Sequence, residues 1–294
     1  MVARITSQML MHTAQANLQL SMSTLAKLQN QAGTQKQISK PSDDPAGAGE
    51  SMRIRADQRA LSQYGTNISD GLAWLGTADD ALSAATDTMQ TVRDLVVQGA
   101  NSGSLNPASR EAIATQLDSL KASLLATANT KYAGRSIFAG NSDAGEAFTA
   151  AYASTAVAGS SVERRISPTA TVRIDVDGTA AFGDGATSVF ALIDQISTDL
   201  RAGTDVSTHL TAVDGAISSI LGEQSRVGSR YGQLETTKEL NMAQSGSLES
   251  QRADVEDVDL SKVILELKTQ EVAYQTALAV TSRALQPTLM SFLS

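Results

Sequence analysis

The chain has 294 residues, of which 41% are hydrophobic, 4% aromatic and 18% charged, with a formal charge of −8 and no cysteine. That excludes disulfides, thiolate catalysis and cysteine-ligated zinc, and two histidines, His12 and His209, cannot form an all-histidine metal site within one chain. The acidic balance also leaves no clustered basic surface for a phosphate backbone, so no nucleic-acid partner is expected, and the pair Arg164-Arg165 reads as a solvated loop or strand.

Ala, Ser, Thr, Gln and Leu dominate, which favours long helices in narrow contact over a thick core. The first residues lack the charged-then-apolar order of a cleaved secretory signal. No apolar run approaches the roughly 20 residues that cross a bilayer, so no membrane partner is expected. A cytoplasmic chain, or one that leaves the cell by a route reading no cleaved signal, fits both observations.

In chain order, Met11, Ala14, Leu18, Met22, Leu25 and Leu28 recur three or four residues apart among polar residues, the mark of an amphipathic helix. Gly33 is expected to interrupt it. Pro41 and Pro45 bracket Ser42-Asp43-Asp44, where Asp44 can cap a helix whose first position is Pro45. In the second helix Leu61, Ile68, Leu75, Leu82, Met89 and Val96 fall at strict seven-residue intervals, with Tyr64, Gly71, Ala78, Ala85 and Val92 in the companion row. Such a heptad with small residues describes a long helix lying close to a neighbour. Gly99 and Gly103 are expected to end it, and Asn106-Pro107 starts a shorter helix with Ile113, Leu117, Leu120 and Leu124 on one face.

From about Tyr132 to Gly185 the helical period disappears. Ser136-Ile137-Phe138 reads as a strand, and Val172, Ile174 and Val176 alternate with Arg173 and Asp175 before Asp177-Gly178, a hairpin pattern. Helices return with Val189, Ile193, Ile196 and Leu200, then with Val206, Leu210, Val213, Ile217, Ile220, Val227, Tyr231 and Leu234. After Gly246 the acidic residues Asp254, Glu256, Asp257 and Asp259 are placed as for a helix N-terminus. The last helix carries Leu260, Ile264, Leu267, Tyr274, Leu278 and Leu285, and Pro287 weakens its end.

The expected fold is mainly α: an elongated antiparallel coiled-coil or helix-bundle rod built from both chain ends, with a small β-rich inserted domain at its tip. Residues 1–42 and 255–294 would form a terminal coiled-coil assembly domain, 43–140 and 187–254 a helical rod, and 141–186 the insertion. Met11, Leu18, Met22 and Leu25, with Leu267, Tyr274, Leu278 and Leu285, are the candidate assembly interface. Small residues beside them, such as Ala14 and Thr281, favour close approach of partner chains. The terminal helices are expected to gain order only on assembly, because an isolated helix has little stability of its own.

No reactive constellation accompanies these helices. Gly47-Ala48-Gly49 meets Met52 where a dinucleotide loop needs its third glycine, and neither histidine precedes a glutamate. Asp175 and Asp177 hint at a calcium loop, but the glycine comes two positions early and position twelve is Ala186. Asp43-Asp44 is read as a cap rather than an acid pair, and both histidines as helix-surface residues. No enzyme and no cofactor is expected.

Ile38-Ser39-Lys40-Pro41-Ser42-Asp43-Asp44-Pro45-Ala46-Gly47-Ala48 resembles the N-terminal signature of the flagellin superfamily. Glu266-Leu267-Lys268-Thr269-Gln270-Glu271-Val272-Ala273-Tyr274-Gln275-Thr276-Ala277-Leu278 is similar to its C-terminal one. The resemblance covers residues 1–140 and 188–294. Pro45 after the aspartate pair, the ending Leu285-Gln286-Pro287-Thr288-Leu289 and the short insertion resemble the branch that joins hook to filament, with filament flagellin as the alternative and a cytoplasmic coiled-coil adaptor further off. Gly33-Thr34-Gln35-Lys36-Gln37 departs from the family pattern. The resemblance implies a nonenzymatic structural role outside the cell as a ring of copies of itself. It also implies an adjacent hook-associated junction protein and flagellin as neighbours, with an export chaperone and the flagellar type III export apparatus as partners.

Overall fold

The computed structural model describes residues 2–101, 106–157 and 159–284. It contains helices α1 (Val2–Thr34), α2 (Pro45–Ala100) and α3 (Pro107–Ala128), then short strands β1 (Lys131–Tyr132), β2 (Arg135–Ser136), β3 (Glu163–Arg165) and β4 (Thr171–Arg173). Helices α4 (Gly178–Phe182), α5 (Val189–Ala202), α6 (Leu210–Glu256) and α7 (Leu260–Ala284) follow. The chain divides into two compact units, one of residues 1–60 and 245–294, the other of residues 61–244.

In the larger unit the heptad of α2 is the core. Ile68, Leu75, Leu82, Met89 and Val96, with Ala78, Ala85 and Val92 in the companion row, are fully buried, and Gly71 lies among them. They join one cluster with Val213, Ile220, Val227 and Leu234, which repeat every seven residues along α6. Antiparallel rungs tie the two helices: Asn241 Nδ2 donates to the Leu61 carbonyl at 3.1 Å, Gln224 Nε2 to Asp79 Oδ1 at 3.2 Å, and Arg93 Nε to Asp214 Oδ1 at 2.6 Å. A Cβ on Gly71 would stand 2.9 Å from Leu234 Cδ1, so the small companion row is what lets α6 come this close.

Asn106 caps α3 through Ser109 N at 2.8 Å with Pro107 in the first position. Helix α3 packs against α5, which Ser188 caps and Gly203 ends at φ 75°. Gly99 does not stop α2. The helix runs through it to Ala100, and a Cβ there would lie 2.7 Å from Leu200 Cδ2, so the glycine opens space for a neighbour. Gly103 lies outside the described residues.

The central region forms two antiparallel hairpins. β1 pairs with β2 around Ala133 and Gly134, both left-handed, which is the turn geometry that matches strand twist. Of Ser136-Ile137-Phe138 only Ser136 lies in a strand; Ile137 and Phe138 are buried. β3 pairs with β4, and the turn between them is held by Ser167 Oγ, which accepts from Ala170 N at 2.9 Å. Asp177-Gly178 is therefore not a hairpin turn. The Asp177 carboxylate accepts from Thr179 N and Ala180 N and starts α4, and a capping side chain outcompetes a turn here because Phe182 must reach the core. Edge-to-face contacts of Phe182 with Phe138 (5.2 Å between centroids) and Phe148 (5.8 Å) fill the space under these short strands.

The expected calcium hint dissolves in the same region. The buried Asp175 carboxylate takes Arg173 at 2.7 Å and Val162 N at 2.7 Å, and Asp177 is occupied by its cap. Arg164 of β3 pairs with Asp70 of α2 at 2.7 Å rather than being solvated. His209 lies in a tight turn before α6, half-buried against Asp199 at 2.7 Å, and is not a helix-surface residue.

Candidate assembly interface

The smaller unit holds both extremities of the chain. α1 and α7 pack against each other, and Gln270 Nε2 reaches the Ser21 carbonyl at 3.4 Å. Their contact row is a heptad on each side: Ala14, Leu18, Ser21, Leu25 and Leu28 on α1 face Val263, Leu267, Gln270, Tyr274, Ala277 and Thr281 on α7. Only Leu28 and Val263 of these are fully sheltered; the rest are half-buried. A two-helix pair has one buried seam and no third layer, so the remaining faces of both helices meet solvent.

This geometry separates the candidate residues. Leu18, Leu25, Leu267 and Tyr274 belong to the intrachain seam. Met11, Met22 and Leu278 do not; they are 52%, 59% and 43% exposed. Leu285 lies outside the described residues. Ser21 and Gln270, which complete the seam, escape an apolar-row search because they are polar and pair through a hydrogen bond. Ile264, Leu265, Val272 and Val280 on α7, and Met9 and Leu20 on α1, add further exposed apolar side chains.

The linkers beside the pair are held by a charged clamp. Helix α1 passes through Gly33 and ends at Thr34, and Gln35, with a φ of 59°, turns the chain, so the expected interruption comes one residue later and is made by a glutamine rather than the glycine. Nothing lies near Gly33 to demand a glycine, whereas Gln35 N still bonds the Gln31 carbonyl at 2.9 Å as the helix closes. The linker then runs against residue 257 as an antiparallel bridge: Lys36 faces Asp257, Gln37 N donates to the Glu256 carbonyl at 2.7 Å, and Val258 N to the Gln35 carbonyl at 3.1 Å.

Glu256, 3% exposed, closes this junction. Arg55 of α2 donates to both its oxygens at 2.7 Å, Lys36 Nζ reaches it at 2.7 Å, the Ser51 hydroxyl donates to it, and Arg252 stands 3.6 Å away. The Arg55 guanidinium, aided by Lys36 and Ser51 and opposed by burial, holds this carboxyl far below the usual glutamate range. Glu256 thus ends α6 and does not begin a helix, as the acidic run had implied; its charge is met by cations instead of a helix N-terminus. Asp259 is the true cap, accepting from Ser261 N and Lys262 N before α7.

The motif residues form the turn into α2. Asp43 Oδ2 accepts from Lys40 N at 2.9 Å and Asp44 Oδ1 from Ala46 N and Gly47 N at 3.0 Å each, with Pro45 in the first helical position. Pro41, Ser42, Asp43, Asp44 and Pro45 are all exposed. A Cβ on Gly47 would sit 2.5 Å from Asp44 Oδ2 and 2.7 Å from Ile38 Cδ1, so the glycine lets the turn fold back onto the helix it starts. Among the described residues no three acidic or histidine side chains gather as metal ligands would, and no helix is long and apolar enough to cross a membrane.

Terminal helices that pair with each other, around a central region carrying short hairpins, define a class of helical proteins whose two ends form one structural element. The N-terminal helical region of bacterial flagellin matches residues 5–143 and its C-terminal helical region residues 210–293, together about three quarters of the chain. The chain belongs to the bacterial flagellin family. It is 25% identical to flagellar hook-associated protein 3 of Salmonella typhimurium over 93% of this chain and 94% of that one. It is also 25% identical to flagellin of Bacillus subtilis over 85% of each. A solved flagellar hook-associated protein from Vibrio parahaemolyticus shares the fold with a TM-score of 0.68 at 21% identity, covering 73% of this chain and all of that one. FlgL of Bacillus cereus does so with 0.60 at 22% identity, over 68% and 99%.

Proposed function

We propose that this protein is a structural, nonenzymatic subunit of the bacterial flagellum that joins hook to filament and assembles through its terminal helices. The observation that carries the reading is the α1–α7 pair, made from both extremities and bearing exposed Met11, Met22 and Leu278 beside a thin seam. Such apolar exposure is favourable only when further helices cover it. The match to hook-associated protein 3 along nearly the whole of both chains supports the junction over the filament.

In this reading residues 1–42 and 255–294 form the assembly domain, 43–140 and 187–254 the helical rod and 141–186 the insertion. Copies of the chain form a ring flanked by an adjacent junction protein and by flagellin. The chain reaches the outside through the type III export apparatus, escorted by a chaperone that covers the apolar C-terminal helix. Immunogold labelling of isolated flagella tests it: one short band between hook and filament is expected. Label along the whole filament, or purified protein that polymerises alone into long filaments, would make the chain a filament flagellin; a signal confined to the cytoplasm would overturn the reading.

A further inference from the structure

The paired helices α2 and α6 carry the second hairpin on one flank and leave a notch on the other. At about 100° per residue, Asn67 and Asp70 lie to one side of the buried row of α2. There Asn67 Nδ2 donates to the Arg165 carbonyl at 2.8 Å and Arg164 Nε to Asp70 at 2.7 Å. Arg230 of α6 reaches the same region and donates to the Asp175 carbonyl at 2.9 Å. On the opposite side Gly76, Asp79 and Asp80 of α2, with Gly228 and Tyr231 of α6, rim a notch of about 280 Å³ floored by the buried Val227. A Cβ on Gly76 or Gly228 would meet nothing within 4 Å. Packing within the chain therefore asks for neither glycine, although each weakens its helix relative to alanine.

The rim is acidic and lacks a cation. Asp79 Oδ1 accepts from Gln224 Nε2 at 3.2 Å, and exposed Asp80 has no hydrogen-bond or ion-pair partner among the described residues. Helix α2 carries no lysine or arginine between Arg59 and Arg93. On α6, Arg226 pairs with Glu223 and Arg230 is turned to the hairpin. Asp87 and Asp94 continue the Asp80 row along this flank at seven-residue spacing. We propose that the notch receives an arginine side chain from a neighbouring protein subunit in the flagellum. This rests on the structural role above and adds a contact apart from the terminal helices. The apolar floor suits the aliphatic stem, and the two carboxylates suit the guanidinium fork through charge-assisted hydrogen bonds. Tyr231, 36% exposed at the rim, supplies an aromatic ring on which a guanidinium stacks better than a compact, strongly hydrated ammonium. The two glycines leave the depth that a long side chain needs.

The test uses the full chain, produced in cells lacking the natural copy, and compares the amount on isolated flagella with the amount shed into the medium. Gly76→Leu with Gly228→Leu fills the notch without a clash, and Asp79→Asn with Asp80→Asn keeps its shape and removes its charge. Incorporation of each double variant is expected to fall at least about tenfold, while the purified proteins melt no lower than the natural chain. Gly222→Leu, at an equally open glycine on the outer back of α6, is expected to incorporate normally. Normal incorporation of the leucine pair would show that nothing enters the notch. Normal incorporation of the asparagine pair would show that no cation does, and an equal loss from Gly222→Leu would show that the notch is not the cause. Each of these overturns the contact and leaves the junction role standing, since the natural chain still incorporates. A natural chain absent from flagella would overturn both.

Discussion

Arg55 grips Glu256 through two parallel hydrogen bonds of 2.7 Å, joining positions 201 residues apart in sequence. Because Lys36 reaches the same carboxylate, one side chain ties the α1–α2 linker, the start of α2 and the end of α6. Replacing Glu256 by Gln keeps the shape and removes the charge. The expected cost is about 1–2 kcal/mol, since the half-exposed cations regain water once released. Chemical denaturation and the rate of tryptic cleavage after Lys40 report it.

The same clamp sets a pH dependence. The folded-state pKa of Glu256 is depressed, so its contribution is fully present above the ordinary glutamate range of about 4.3 and is lost as pH falls below that value toward the folded pKa. The stability gap between the natural chain and Glu256→Gln is expected to be constant from pH 6 to 8 and to shrink below pH 4. A gap that holds steady down to pH 3 would show that the carboxylate charge is not what Arg55 and Lys36 hold.

Gly71 and Gly228 are both helical but differ in surroundings. Gly71→Val would drive side-chain atoms into Leu234 and Ile174 and is expected to destabilise by about 1–3 kcal/mol. Gly228→Ala meets nothing within 4 Å and is expected to stabilise by up to about 1 kcal/mol through helix propensity. Thermal melts of the two variants should therefore move in opposite directions.

Leu82 and Leu278 separate folding from assembly. Leu82→Ala empties a fully buried heptad position and is expected to cost about 2–5 kcal/mol. Leu278→Asp changes a 43% exposed residue, so monomer stability should move by less than about 0.5 kcal/mol while incorporation into flagella is lost. Normal incorporation of Leu278→Asp would remove this flank of α7 from the interface.

Hydrogen exchange on the purified monomer should be graded along the chain. Amides over 75–96 and 213–234, whose apolar rows are buried, are expected to exchange slowly, and those over 11–30 and 264–281, whose seam is half-exposed, much faster. Strong protection over both terminal stretches would overturn the idea that these helices reach their final order only among other copies.

What could be read in the residues themselves is whatever repeats locally. Seven-residue spacing from Leu61 to Val96 identifies the buried row of α2 because a long helix returns the same face to its partner each heptad. Asp44-Pro45 and Asn106-Pro107 mark helix starts because a cap needs only the next three backbone amides. The tertiary structure decided what depends on distant partners. It made Glu256 the end of a helix held by Arg55 and Lys36, turned Asp177-Gly178 into a helix start beneath an aromatic cluster, and shifted the α1 seam from Met11 and Met22 to Ser21 opposite Gln270. Local spacing specifies which face of a helix is apolar; only the position of the opposing chain specifies which part of that face is covered.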